Sequence, residues 1–493
     1  MTAFLHFSLS LLVGGRRRLC LAAVLALISA QALSAQTASA PEDEEEDDLG
    51  MPVITTPDTQ TEKNRTFALV ELGTILGGGL IWYNLDHSNQ KDQLYDTKGA
   101  LANRFNGFNA WNFDSNLFET NFVSHPGAGA LYYLTGRTNG YGKFESYLFA
   151  IGGSACWEYF CEIQEVVSIN DMIVTPFGGA AVGEPVYQLI SHIGKENNCA
   201  ISELNRTSPY AARLPLVFGG GYNGKRYMTI GTDYEAINCD VLSPARSYAG
   251  FINETLATRL RFNMAFSKDH MEYAYFHTES MLAGFVSVRN RYSQNYSAGL
   301  VSGINTAFTY EMHHYGRFMD KVGTAHLLGL NYETHMKKDD FFFLADGVVY
   351  FDFGGINSYG LEPYLKAGHT MEDVRNNGAY LTSLNKYYFA VGSTVRLRLA
   401  AGYGRTSVVI EMVSSNYNSV DTDGRTDREP ATGKNFVMSD NRQMIRGTVT
   451  RQIVNDLAVS GSYTLRRIWG SASGYSRAGY ESAYEMSLAY TGI

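Results

Sequence analysis

The chain has little cysteine, 5 residues in 493, and one of them, Cys20, falls in the N-terminal leader. Cys156, Cys161, Cys199 and Cys239 show no zinc-binding spacing, which excludes a structural zinc module. In an oxidising compartment Cys199 and Cys239, in polar loop-like sequence, are the better disulfide pair. Cys156 and Cys161 stand five apart in apolar helical sequence and point to different faces. Proline is also scarce, at 11 residues, and there is no excess of positive charge. The formal charge is −9; seven negatives lie in Glu42–Asp48 and three positives in Arg16–Arg18, so the remainder carries −5. Nothing in that balance suits nucleic acid.

Long apolar runs are missing too. Leu19–Leu33 is a mostly apolar stretch behind Arg16, Arg17 and Arg18, shorter than the ~20 residues a spanning helix needs. With small residues around Ser34 and Ala35 it reads as an export signal, assigned to residues 1–35. Residues 36–65, containing the acidic run, read as a solvated disordered linker. Thr66–Tyr83 is borderline in length and interrupted by Glu71 and four glycines. It is expected to be a helix packed against other protein.

What the chain has in quantity is glycine (49), tyrosine (33) and phenylalanine (27). Tyrosine and phenylalanine favour strands and membrane interfaces; glycine favours turns and close packing. From about Leu214 onwards the hydrophobic period is two. Leu260, Phe262, Met264 and Phe266 alternate with Arg259, Arg261 and Asn263; Val395, Leu397 and Leu399 alternate with Arg396 and Arg398. A soluble sandwich does not bury arginines along one strand face, whereas a barrel with a wet lumen accepts them. Tyr296–Glu311, Leu327–Thr334, Phe341–Phe353, Tyr387–Leu399, Ser407–Ser414, Thr448–Val454 and Leu457–Leu465 read as further strands. Tyr484, Met486, Leu488 and Tyr490 make a final one, and Asn418–Asp440 reads as a long loop. The expected fold is mainly β: an antiparallel transmembrane β-barrel of about 12 strands over 210–493, behind a small α-helical domain at 66–195.

That helical domain has ionisable residues set among Phe, Tyr, Val and many glycines. Three helices are expected, at Phe118–Leu134, Phe144–Val167 and Asp171–Ile193, the last interrupted by Pro176, Gly178-Gly179 and Pro185. Ser154, Glu158 and Glu162 stand at i, i+4, i+8, on one helix face. The ordered set Asn121, His125-Pro126, Gly129, Tyr132-Tyr133, Glu145, Ser154, Trp157-Glu158, Glu162, Ser168, Asn170-Asp171, Gly178-Gly179 and Gly183-Glu184 resembles the bacterial family catalogued as domain of unknown function 3943. The resemblance covers Trp111–Leu189 and continues more weakly through Phe308–Glu311, Asp320 and His326–Gly329. It implies an outer-membrane protein and brings no reaction with it.

Three chemistries compete for these residues. His125, Ser154 and Glu158 have the residue types of a lipid-modifying hydrolase or acyltransferase, with His as base on Ser, but no Gly-x-Ser-x-Gly elbow is present. His125, Glu158, Glu162 and Asp171 have metal-ligand types, yet the paired Glu-x-x-His element of helical-bundle sites is missing, so no metal and no cofactor is expected. The third expectation is structural: Glu145, Glu162, Asp171 and Glu184 meet Arg259, Arg261, Arg396 and Arg398 where helices plug or cap the barrel lumen. Gly219–Lys225 has phosphate-loop spacing but Arg226 stands where Ser or Thr belongs, and it reads as a strand-entry turn. His313-His314 reads as a strand end, and Phe341–Phe343 and Tyr387-Tyr388 as interface aromatics. The functional expectation is a non-enzymatic outer-membrane barrel serving transport, surface structure or assembly. Its partners would be outer-membrane lipids and the barrel insertion machinery.

Overall fold

In the computed structural model the described residues are 63–87, 104–114, 116–162, 167–194, 216–218, 234–242, 258–267, 270–293, 296–315, 318–357, 387–420, 438–454, 457–472 and 475–490. The leader, most of the linker, Cys199, Gly219–Lys225 and the centre of the 418–440 loop lie outside them. Four helices come first: α1 (Arg65–His87), α2 (His125–Thr138), α3 (Lys143–Cys156) and α4 (Ile169–Gly194). Two short strands, β1 (Trp111–Asn112) and β2 (Val167–Ser168), pair in parallel within this region.

The remainder is strand. β3 (Leu216–Phe218), β4 (Tyr234–Leu242), β5 (Thr258–Ser267) and β6 (His270–Ser293) lead into β7 (Tyr296–Tyr315), β8 (Phe318–Lys338) and β9 (Phe341–Asn357). β10 (Tyr388–Tyr403), β11 (Thr406–Ser419), β12 (Met438–Val454), β13 (Leu457–Ala472) and β14 (Tyr475–Tyr490) complete the set. The fold is therefore mainly β, as the alternation implies. β7 to β14 form an eight-stranded antiparallel sheet curled into a half-barrel, each strand beside its sequence neighbour. β6 lies along the free edge of β7. Short turns join β8 to β9 and β10 to β11, with Asp339 at φ 49° and Gly404 at φ 55°. A left-handed residue gives a two-residue hairpin the twist its strands need.

The two faces of the sheet are unlike. On β9, Tyr350 and Asp352 are buried while Val349 and Phe351 are exposed. On β10, Thr394 and Arg396 are buried and Val395, Leu397 and Leu399 exposed; on β11, Glu411 is buried between exposed Ile410 and Met412. The polar face is the concave one. Arg396 on β10 reaches Glu279 on β6 at 3.1 Å, and Arg442 on β12 reaches Asp320 on β8 at 3.2 Å. Four strand spacings separate each pair, about 19 Å in a flat sheet at ~4.8 Å per step. Arg466 on β13 meets Glu311 on β7 at 2.6 Å across six. Only inward curling brings such side chains together.

The helices lie against the other, convex face. Phe113 stacks on Phe389 (5.0 Å between ring centres) and on Phe353 (6.1 Å). Phe353 stands two residues from exposed Phe351, and Phe389 two from exposed Val391, so both point outward. Phe122 packs over Gly323 and Gly355, where a methyl group would overlap its ring. Phe118, Phe122, Val174, Ala181, Phe308, Phe353, Tyr387 and Phe389 form the shared core. This corrects two expectations. The described helices do not plug the concave side, because their aromatic surface matches the apolar face and not the charged one. Tyr387 and Tyr388 are buried rather than interfacial; Tyr387 donates to the carbonyl of Asn116 at 2.8 Å.

Within the helical layer, α2 and α4 cross at Gly129 and Gly179, whose backbones are in contact. α4 runs unbroken through Pro176 and Pro185, contrary to the expected interruption. Its glycine face packs closely on α2, and that contact offsets the lost backbone bonds. α1 lays Leu72, Ile75 and Leu76 against the Tyr132–Tyr133–Tyr147 cluster. Phe67, Leu69, Val70, Ile81, Trp82 and Leu85 stay exposed, so only one side of α1 has the packing expected of it. Arg65–Leu85 is long and apolar enough to cross a membrane by length and composition.

Candidate metal centre in the helical layer

Four chain segments converge on Asp171. The β1–β2 bridge pairs Asn112 with Ser168, which carries Asp114 to the start of α4. A π-helical turn, Thr120–Ser124, opens directly into His125 at the first position of α2. A second, Trp157–Cys161, follows α3 and carries Glu158, with Glu162 as its cap. π turns widen a helix locally and recur at functional sites. Here the widening breaks the regular helix expected through Val167, yet keeps Glu158 and Glu162 on the buried side.

The result is a carboxylate cluster shielded from solvent. Asp114, Glu158, Glu162 and Asp171 are all buried, Asp171 to 1% exposure. Ligand atoms of Asp114, His125 and Asp171 lie within 4.8 Å of one another, and so do those of Glu158, Glu162 and Asp171. His125 Nε2 is 3.4 Å from Asp171 Oδ1, and its Nδ1 is 3.3 Å from the Thr175 hydroxyl. Asp114 accepts from Asn121 at 2.6 Å, Asn170 at 3.1 Å and Asn116 at 2.9 Å. Glu158 accepts the Ser168 backbone N–H at 2.8 Å; Glu162 accepts the Trp157 indole N–H at 3.1 Å. The Arg104 guanidinium donates to the backbone carbonyls of both glutamates. Burial, then the nearby Asp114 and Glu158 carboxylates, push the Asp171 carboxyl well above its ordinary range. The Asp171 carboxyl is hydrogen-bonded to that of Asp114, and Asn121 Oδ1 is a buried oxygen with no donor.

The structure treats the sequence-derived site residues unequally. His125, Glu158, Glu162 and Asp171 come together. Ser154 is buried beside them, but its hydroxyl donates to the Asp171 backbone carbonyl at 3.2 Å. The His–Ser dyad of a hydrolase is thus not formed, since that proton is directed away from the imidazole. Glu145 is on the surface, paired with Lys63 at 2.7 Å. Glu184 takes its partners from its own layer: Arg137 at 2.9 Å, Lys143 at 3.6 Å and the Tyr133 hydroxyl at 2.7 Å. Arg396 takes Glu279 and Glu411, and Arg398 takes Asp346, all within the sheet. The expected bridges from helix carboxylates to these arginines are replaced by pairs inside each layer, because the helices sit on the opposite face. Arg259 and Arg261 lie on β5, and their side chains fall outside the described residues. The described ion pair joining the layers is Lys321 with Glu119.

Sequence reasoning missed a second constellation, on the concave face. Arg396 Nη1 donates to His277 Nε2 at 2.8 Å, since a guanidinium only donates. Neutral His277 then donates from Nδ1 to Thr309 Oγ1 at 2.8 Å, and Thr309 donates to His326 Nε2 at 2.9 Å. His326 Nδ1 donates to Asp352 at 2.7 Å, and Thr394 donates to the second Asp352 oxygen at 2.5 Å. This carboxylate–imidazole–hydroxyl order is the one nucleophilic enzymes use. Here, however, Thr309 is held from both sides. Besides the weak family resemblance at His326, the available signal was polar residues at alternate positions in otherwise apolar strands, among them His326, Asp352 and Thr394.

Residues 110–212 match the family model described as Domain of unknown function (DUF3943). The chain carries a DUF3943 segment. No curated protein matches the chain. The Asp171 cluster lies wholly inside the DUF3943 segment, as do α2, α3 and α4. The sheet that β7–β14 form lies wholly after it.

Proposed function

We propose that this chain is a non-enzymatic, integral β-barrel protein of the bacterial outer membrane. In this reading β3, β4 and β5 continue the sheet from β6 round to β14, closing twelve strands. Pairings of β14 with β3, β3 with β4, β4 with β5 and β5 with β6 support closure. The observation that carries the membrane reading is the inverted sheet: charges and hydroxyls buried on the concave face, aliphatic side chains exposed on the convex one. A water-soluble sheet arranged that way would expose a large apolar patch.

Arg396, Arg442 and Arg466 each bridge the concave side to a carboxylate several strands away. Such bridges occupy the lumen, so the barrel serves as a closed scaffold that carries the DUF3943 segment on its outside. Surface structure or assembly fits this better than passive transport. The chain should fractionate with the outer membrane and shift its gel migration on boiling, as folded barrels do. In planar bilayers the wild type should be closed, and the triple Arg396→Ala, Arg442→Ala, Arg466→Ala variant should conduct. Recovery of the protein in the soluble periplasmic fraction would overturn the reading.

A further inference from the structure

We propose that the Asp171 cluster is a binding site for a divalent first-row cation of the Mn2+ or Fe2+ type, with Asp171 as the shared ligand. Its two trios, Asp114–His125–Asp171 and Glu158–Glu162–Asp171, each hold their donor atoms within 4.8 Å of one another and share Asp171. Acidic clusters are common without ions, so the cluster alone decides nothing. Two observations decide it: Asn121 Oδ1 is a buried oxygen that no donor meets, and the hydrogen-bond partner of the Asp171 carboxyl is a second acid, Asp114, so the pair needs a shared proton or a cation. Asn121 belongs to this cluster: its amide donates to Asp114 Oδ1 at 2.6 Å. A buried acceptor without a donor, and neighbouring acids forced to share a proton, each carry a penalty that a cation relieves.

The donor set selects the class of ion. Carboxylate and amide oxygens with one imidazole suit Mn2+ or Fe2+; thiolate-rich or nitrogen-rich sites suit Zn2+ or Cu2+ better. The surroundings have the outer layer such sites need. Thr175 stands at His125 Nδ1, which leaves Nε2 facing Asp171, and Asn116, Asn121 and Asn170 orient Asp114. A cation there would fasten the two π turns, the start of α4 and the Asp114 loop to one another. The site extends the function of the DUF3943 segment, and it does not depend on the barrel reading.

The test uses the full-length, detergent-solubilised chain, stripped with EDTA and dialysed against Mn2+ alone. Bound metal is measured by elemental analysis, and coordination by pulsed EPR. The wild type should retain Mn2+ in a fixed ratio and show nitrogen modulation from one imidazole. Asp171→Asn should weaken retention at least tenfold, and His125→Gln should abolish the nitrogen modulation. Glu145→Gln, remote and exposed, should behave as wild type. If Asp171→Asn fails to fold, the wild-type EPR signal with and without His125→Gln still decides. A wild type that retains no Mn2+, or shows only the fully hydrated ion's signal, would overturn the site and leave a shared proton or a water there. Unchanged retention in folded Asp171→Asn would overturn it equally.

Discussion

Arg396 Nη1 lies 3.1 Å from Glu279 Oε2, although three strands stand between β10 and β6. Its other terminal nitrogen meets Glu411 Oε1 at 2.9 Å, and all three groups are buried. Removing the cation strands two carboxylates, so Arg396→Ala should cost about 3–5 kcal/mol. The triple variant Arg396→Met, Glu279→Gln, Glu411→Gln should recover most of that loss, because no charge is left unpaired. Urea titration followed by loss of heat-modifiable migration measures both; equal destabilisation in the two variants would refute the pairing.

Gly129 and Gly179 set the approach of α2 to α4. A methyl on Gly129 would overlap the carbonyl of Thr175, whereas one on Gly127 meets nothing within 4 Å. Gly129→Ala should therefore destabilise by about 1–3 kcal/mol through forced separation of the helices. Gly127→Ala should be neutral or stabilise by up to about 1 kcal/mol, since alanine is the better helix former. Thermal unfolding of the two variants checks the crossing; equal effects would contradict it.

The Lys63 ammonium, and next the Gly142 backbone N–H, hold the Glu145 carboxyl below its usual range. A depressed acid binds fewer protons folded than unfolded. Its stabilisation is complete above the ordinary carboxylate value, near ~4.3, and is lost as pH falls through the lowered folded value. Both side chains are half-exposed, so the amplitude is at most about 1 kcal/mol. Glu145→Gln should lose that increment at pH 7, and the gap to wild type should close once the pH has fallen below the lowered folded value, where wild-type Glu145 is itself protonated. A constant gap between the two unfolding curves across pH would contradict the assignment.

The sheet was legible where its alternation is strict. Val395, Leu397 and Leu399 against Arg396 and Arg398 name both faces of β10 outright. β6 was missed along its whole length, and its register shows why. Irregularities between Met281 and Ala283, Gly284 and Val286, and Arg291 and Ser293 each break the two-residue period. The strands also run past the expected ends, as with β8, which begins at Phe318 rather than Leu327.

The candidate cluster was half legible. His125, Glu158, Glu162 and Asp171 stood out as charges in apolar helical sequence. Asn121 entered only through the ordered family pattern and Asp114 not at all, because their place depends on the β1–β2 bridge and a π turn, neither of which has a local period. Partner choice was illegible for the same reason. Glu184 meets Arg137 rather than a sheet arginine because of the face on which the helices dock, and that face is a property of Phe113, Phe122, Phe353 and Phe389 in three dimensions.

The central claim is that the part of the convex face which the helices leave bare meets lipid and the concave face does not. The most direct measurement places a photo-crosslinking amino acid singly at Leu397, which is exposed, and at Thr394, which is buried. Irradiated in cell envelopes, the residue at 397 should label phospholipid or lipopolysaccharide, and the one at 394 should label only the protein itself. Lipid adducts at 394 and none at 397 would contradict the account.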